Sequence, residues 1–310
     1  MKRIIDTLGI DTSNYTTSAA LFQDGEIFQQ KMLLPVKRGE LGLRQSDAVF
    51  HHVQQLPQVL GALFDEKLSI SAVGASARPR DLEGSYMPCF TVGIGFAKAV
   101  ALSLGVPLYT FSHQAGHIAA ALYSAGQLAL LHEKFIAFHV SGGTTEAVLV
   151  KPDEQTVFRT EIIAQSLDLK GGQAVDRVGA MLGLSFPSGK ALEQLALKTD
   201  VTYHIKPSLK GADCSLSGVE NKCANMLNKG MPKEEIAAYC LYALLAALDS
   251  MTAELLKQYG KLPLLFAGGV MSNSLIRDAL TAKYGAYFAV PEFSADNAAG
   301  IAVLTSIKGA

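Results

Sequence analysis

His113 and His117, in the stretch YTFSHQAGHIAAAL, stand four residues apart. In a helix that spacing puts both imidazoles on one face, a turn apart, where they can hold a single metal ion. Spacing alone leaves a second reading open, in which two histidines on an alanine-rich helix pack or face solvent. A zinc-protease helix needs a Glu directly after its first histidine to activate water, and Gln114 stands in that place. Peptide hydrolysis by that route has no general base here.

A second group of residues suits anions. Ser141-Gly142-Gly143-Thr144 is a small-residue turn whose backbone N–H groups could cradle a phosphate, with glycine letting the main chain come close. The tract Phe266-Ala267-Gly268-Gly269-Val270 adds a glycine turn that leaves a strand for a helix. Each turn alone is also what a tight hairpin would use. Together they point to a nucleotide.

These residues need a scaffold, and the chain carries one twice. LGIDTSNYTTSAALFQDGEIFQQKML reads as strand, hydroxyl-rich turn, strand, Asp24-Gly25 turn and strand. IAFHVSGGTTEAVLVKPDEQTVFRTEII repeats that order with its second turn at Pro152-Asp153. One offset pairs Ser13 with Ser141, Thr16-Thr17 with Thr144-Thr145, and Leu21 with Leu149. Helices and strands alternate after each copy. In the first half a helix is expected over 42–64, a strand over 72–77, a helix over 90–104 and a strand over 107–109. In the second half helices are expected over 174–182, 234–258, 272–283 and 296–306, with strands over 264–267 and 286–289. Two α/β halves that each open on a polar hairpin turn would face those turns across a cleft.

Composition narrows the class. A chain of 310 residues, 49% hydrophobic, can bury a large core in two domains or one large one. The apolar run from Ile236 to Leu248 stops short of the roughly 20 residues that span a bilayer, so no membrane anchor is expected. MKRIIDTLGIDTS lacks the apolar core and cleavage site of a signal peptide, so a cytoplasmic protein is expected. Cys89, Cys214, Cys223 and Cys240 form neither CxxC spacing nor a disulfide framework. A formal net charge of −1 gives no bulk attraction to a polyanion. Nucleic acid would need a local patch or a partner subunit. Lys206, Lys210, Lys222, Lys229 and Lys233 are the nearest to one, although acidic neighbours make a mixed solvated surface the plainer reading. No exposed apolar helix marks a dimer face.

Seven motifs in one order resemble the threonylcarbamoyl-transferase family of tRNA modification (TsaD-type, formerly described as O-sialoglycoprotein endopeptidase). They are DTS at Asp11–Ser13, HQAGH at His113–His117, VSGGTTE at Val140–Glu146, GQAVDRVGAMLGLSFPSG at Gly172–Gly189, SLSG at Ser215–Gly218, AGGVMSN at Ala267–Asn273 and ADNAAGIA at Ala295–Ala302. The resemblance implies an α/β fold of the two-lobed actin, sugar-kinase and heat-shock-ATPase type (ASKHA), which agrees with the duplicated hairpin. Residues 1–112 would form the first lobe, with a C-terminal helix over 294–310 packing back on it. Residues 113–293 would form the second, carrying the SGG and GGV turns.

The resemblance also implies a site. His113, His117 and Asp296 would hold one divalent metal, zinc or iron, a three-ligand set that suits catalysis more than structure. His139, Val140, Ser141, Gly142, Gly143, Asp176, Gly189 and Asn273 would bind ATP or an adenylate, with magnesium a further candidate. His139 is either a fourth metal ligand or a strand histidine with no metal contact. The implied reaction moves a threonylcarbamoyl group from its adenylate to the amine of adenosine-37 in certain tRNAs. It needs no nucleophilic side chain, and none is evident. The implied partners are tRNA, met directly or through an assembly, and paralogous subunits or a second copy.

The chain departs from the family pattern inside the motifs. DTSNYTT replaces ETSCDET, SGGTT replaces SGGHT, Gln173 replaces the Glu of GEAFD, and Arg78-Pro79-Arg80 replaces a glycine-proline-glycine loop. Each change adds or removes a charge or titratable group. These departures describe a divergent paralogue. One reading is a working carbamoyltransferase; the alternative is an ATP- or ADP-binding regulatory or interaction subunit without turnover. A metalloprotease is disfavoured by Gln114.

Overall fold

The structure is a computed structural model that describes residues 5–13, 15–35, 43–64, 69–294 and 298–310. Contacts divide the chain into two units. The first holds Met1–Leu131, Pro152–Thr160 and Glu292–Ala310, and the second holds His132–Lys151 and Glu161–Pro291.

The first half runs β1 (Thr7–Asp11), β2 (Thr16–Gln23), β3 (Glu26–Leu33), α1 (Gln45–Gly61), β4 (Ala72–Arg78), α2 (Phe90–Leu104), β5 (Leu108–Ser112) and α3 (His113–Ser124). The second runs β6 (Phe135–Val140), β7 (Thr145–Asp153), β8 (Val157–Gln165), α4 (Gly171–Met181), α5 (Gly189–Ala196), β9 (Ser208–Lys210), β10 (Asp213–Ser215), α6 (Ser217–Asn228), α7 (Lys233–Tyr259), β11 (Leu264–Ala267), α8 (Ser274–Tyr284) and β12 (Tyr287–Phe288). The last helix is α9 (Ala299–Gly309).

The sheets share one topology. In the first the order is β3-β2-β1-β4-β5, and in the second it is β8-β7-β6-β11-β12. An antiparallel meander joins two parallel strands in each, β1 with β4 and β6 with β11. The duplication legible in the sequence is thus a duplication of strand order. Asp24 and Gly25 both take positive φ, 50° and 87°, the geometry of a two-residue hairpin turn whose twist matches its strands.

The second hairpin differs from expectation. β7 runs on through Pro152 and Asp153, and the turn falls at Glu154–Thr156. Asp153 is its anchor, since Oδ1 accepts from the N–H of Gln155 at 3.0 Å and from both the N–H and hydroxyl of Thr156 at 2.8 Å.

β2 is buried on both faces, so its sequence alternates between two cores. Ala19 and Leu21 join Leu8, Ile10, Val73 and Ala75 beneath α1 and α2. Ala20 and Phe22 face the other way, against Ala299, Ala302 and Val303 of α9. α9 lies beside α3 at a crossing of two glycines, where a Cβ on Gly300 would fall on the carbonyl oxygen of Gly116.

In the second unit α7 is the core helix. It is 27 residues long, and Tyr239, Cys240 and Tyr242 continue it rather than end the apolar run. By length and composition it could cross a membrane, yet 61% of its most apolar window is buried inside the protein. The helix expected over 234–258 is found with one further residue at each end. On α1, Phe50 and Val53, three residues apart, are 57% and 46% exposed.

Candidate functional site

β5 delivers Ser112 to the start of α3. Its backbone is extended, and its side-chain oxygen accepts the N–H of Ala115 at 3.1 Å, an N-cap contributing about 1 kcal/mol. The helix therefore begins at His113, and both histidines fall in its first turns. Their Nε2 atoms are 2.9 Å apart. On the far side of the His113 ring, Nδ1 lies 2.8 Å from Oδ2 of Asp11 at the end of β1.

Asp11 is 1% exposed. Burial pushes its carboxyl up, but the charge and hydrogen bond of His113 and the bonds from Ser13 outweigh it and hold it below the usual carboxylate value. A carboxylate has no proton to give, so Nδ1 of His113 donates; in the neutral ring this leaves Nε2 as a lone pair toward His117. Ser13 Oγ is 3.4 Å from the same nitrogen. The 2.9 Å separation is that of one N–H···N bond; two imidazoles on one tetrahedral zinc, with bonds of about 2.0–2.1 Å, would stand about 3.3 Å apart, so the rings need only a small outward shift to share an ion. Among the described residues no three His, Cys, Asp or Glu side chains converge as a metal cluster, and Asp296 lies outside those residues.

The second unit gathers the two glycine turns. Ser141 closes its turn twice, donating its N–H to Thr144 O at 2.7 Å and accepting the N–H of Thr144 on Oγ at 3.1 Å. The N–H groups of Gly142 and Gly143 make no hydrogen bond among the described residues, and a Cβ on either would meet nothing within 4 Å. This leaves an open, donor-lined concavity of the kind that holds anions. Behind it, Gly172 gives its N–H to Ser141 O at 3.0 Å, and a Cβ there would come 2.5 Å from Gly142 N. Gly268 takes φ 100°, and a Cβ would strike the carbonyl of Val140 and come 2.9 Å from Cδ2 of His139. The turn at Gly268 thus stands against the end of β6. His139 is opposite Ala267 of β11 and opposite the buried Glu146 of β7.

Two carried-over residues also serve the backbone around them. Asp176 Oδ1 accepts the N–H of Ser188 at 2.8 Å, directly before Gly189 at the start of α5. Asn273 caps α8, its Oδ1 accepting from Ile276 N at 3.1 Å.

Two acidic residues that sequence reasoning missed organise the loops. Asp168 accepts the N–H groups of Leu169 at 2.6 Å, Leu216 at 2.7 Å and Ser217 at 3.2 Å, and the Ser217 hydroxyl at 2.6 Å. Burial pushes its carboxyl up, and these bonds together hold it below the usual value. It fastens the SLSG segment to the chain entering α4. Asp81 does similar work beside α3. Asp11 itself was read only as part of DTS, because its partner lies about a hundred residues away.

The thiols offer no nucleophile: all four cysteines are buried, and burial pushes Cys214 up to about 11. Of the lysines in the mixed stretch, Lys233 is held by Leu182 O, 2.9 Å from its Nζ.

The paired sheets with one strand order, each carrying a polar turn at a strand end, are an α/β fold of the actin, sugar-kinase and heat-shock-ATPase type. HypF of T. kodakarensis superposes with a TM-score of 0.64 at 12% identity, covering the whole chain and 48% of HypF. The (R)-2-hydroxyglutaryl-CoA dehydratase component A of Acidaminococcus fermentans gives a TM-score of 0.57 at 17% identity over 98% of this chain and 99% of that one. Sequence identifies the family within that fold. The profile of tRNA N6-adenosine threonylcarbamoyltransferase (TsaD) matches residues 38–303. The Thermosipho africanus protein of that name is 31% identical over 96% of this chain and 92% of its own length. The chain belongs to the TsaD family of tRNA N6-adenosine threonylcarbamoyltransferases.

Proposed function

We propose that the protein is a metal-dependent, nucleotide-binding threonylcarbamoyltransferase acting on a tRNA adenosine. The observation that carries this reading is the His113–His117 pair, with Nε2 atoms 2.9 Å apart and Asp11 fixing the His113 ring from behind. His113 and His117 would hold one zinc or iron ion, with Asp296 as a third ligand. Bound there, the ion supplies Lewis-acid stabilisation of negative charge at the carbonyl under attack. Asp11 keeps Nδ1 of His113 protonated and its Nε2 basic.

The donor-lined turn at Gly142 and Gly143 would take the phosphate of a threonylcarbamoyl-adenylate, flanked by His139, Val140 and Ser141. Asp176, Gly189 and Asn273 would line the nucleoside side, where ATP, with or without magnesium, is the alternative occupant. As the adenosine amine forms its bond to the carbamoyl carbon and gives up a proton to solvent water, the bond to the phosphate oxygen breaks and AMP leaves with its charge on those N–H groups. The purified protein, given threonylcarbamoyl-adenylate, tRNA and each metal in turn, should yield modified adenosine. No product with any metal sinks the reading.

A second reading, a nucleotide-binding subunit without turnover that works with tRNA or a paralogous partner, is favoured by specific residues. Tyr15 stands where the family pattern has an acid, and Asp176 and Asn273 already bond their own backbone. It predicts a melting temperature raised by ATP or ADP with no turnover. The absence of any nucleotide-dependent shift removes it.

A further inference from the structure

The start of α3 is gripped by a loop that the site chemistry does not account for. After β4 the chain reads Arg78-Pro79-Arg80-Asp81. Two groups of this loop take polar hydrogens from the helix start: Pro79 O accepts the N–H of Gln114 at 3.1 Å, and Asp81 Oδ2 accepts the hydroxyl of Ser112 at 2.8 Å. Ser112 is fully buried and its hydroxyl is used twice, donating to Asp81 and accepting from Ala115 N. Arg78 holds the other oxygen of Asp81 through Nε at 3.0 Å. The result is one chain of bonds from Arg78 through Asp81 and the Ser112 cap to the first turn of α3, which carries His113.

We propose that Asp81 is a positioning residue for the His113–His117 pair. An uncapped first turn frays, because its N–H groups lose their partners, and a residue there no longer has a fixed ring direction. Asp81 fixes which way the Ser112 hydroxyl points: with its proton committed to the carboxylate, its lone pair is left for Ala115 N–H. Arg78, bonded to the other oxygen, keeps the Asp81 carboxylate turned toward Ser112. Where the family pattern has a flexible glycine-proline-glycine loop, this chain has an ion-paired clamp, so the helix start is held by side chains. The proposal rests on the reading of His113 and His117 as metal ligands, and concerns how the chain sets them.

The test is cobalt(II) affinity by chelator competition in the full-length protein and in Asp81→Asn, Asp81→Ala, Ser112→Ala and the Asp81→Ala/Ser112→Ala double variant. Outer partners of metal-binding histidines typically contribute about 10–100-fold in affinity. Asp81 acts two bonds further out, so about a tenfold loss is expected in Asp81→Ala, with a fall of only about 2–4 °C in melting temperature, and less of both in Asp81→Asn. The double variant should bind no more weakly than either single one, because both break the same chain. Full additivity, or no loss in Asp81→Ala, overturns the proposal. Should the parent bind no cobalt, the metal reading fails and the clamp is judged by amide exchange alone. Gln114 and Ala115 should then exchange about tenfold faster in Asp81→Ala than in the parent, and equal exchange rejects the clamp.

Discussion

Gly300 of α9 meets Gly116 of α3 backbone to backbone: a Cβ on Gly300 would fall on the Gly116 carbonyl oxygen and come 2.7 Å from Ala120 N. Gly116 directly precedes His117, so the seating of α9 sets how α3 presents its histidines. Gly300→Ala forces the helices apart or bends one of them, and overpacking of this kind costs about 1–3 kcal/mol. The urea midpoint should fall accordingly. An unchanged midpoint means the crossing has slack.

Asp11 governs the His113 ring through one 2.8 Å contact. Asp11→Asn keeps the shape of the side chain and removes its charge. Nδ1 then lacks an anionic acceptor and Nε2 loses basicity, so zinc or cobalt affinity should drop by about 10–100-fold. Competition against a chromophoric chelator reads this directly. A variant binding as tightly as its parent excludes Asp11 from that role.

What the sequence made legible was local and repeated. The hairpins, the Asp24-Gly25 turn and the helical spacing of His113 and His117 follow from short-range periodicity and turn chemistry. The hidden parts depend on distance. Asp11 and His113 meet because β1 and β5 finish at the same end of one sheet, a relation set by the parallel order β1-β4-β5. Asp168 gave no signal, since an acid in a loop reads as solvated until Leu216 and Ser217 arrive from a later segment. Asp153 was read as part of a turn, whereas it ends the strand and anchors the turn that follows. α7 was legible as a helix, expected over 234–258 and found at Lys233–Tyr259.

Gly143 offers a clean separation of binding from folding. It is exposed, takes no positive φ, and a Cβ there meets nothing. Gly143→Val should leave stability within about 0.5 kcal/mol, as exposed substitutions usually do. The side chain would stand at the mouth of the two unspent N–H groups. The rise in melting temperature produced by ADP should shrink or vanish. A full ADP response in Gly143→Val places the nucleotide elsewhere.

His52 gives the protein a pH dependence of its own. It is wholly buried in α1, and its Nδ1 is 2.8 Å from Thr17 Oγ1. That hydroxyl donates to Gln55 Oε1 at 2.8 Å, so Nδ1 carries the proton and Nε2 is a buried acceptor with no partner among the described residues. Burial pulls its pKa down to about 4, against a smaller upward pull from Asp11 and a further downward push from His51. An unfolded histidine titrates near about 6.5. Between those values the unfolded chain binds a proton that the folded protein refuses, so stability rises with pH. The contribution is intact above about 6.5 and is lost progressively toward pH 4, about 3 kcal/mol in all. His52→Asn can keep the bond to Thr17 through its amide N–H and does not titrate. Denaturant midpoints measured from pH 7 to 4.5 should therefore fall less steeply in His52→Asn than in the parent. Parallel curves would mean that other groups carry the acid sensitivity, and that the bare Nε2 is solvated after all.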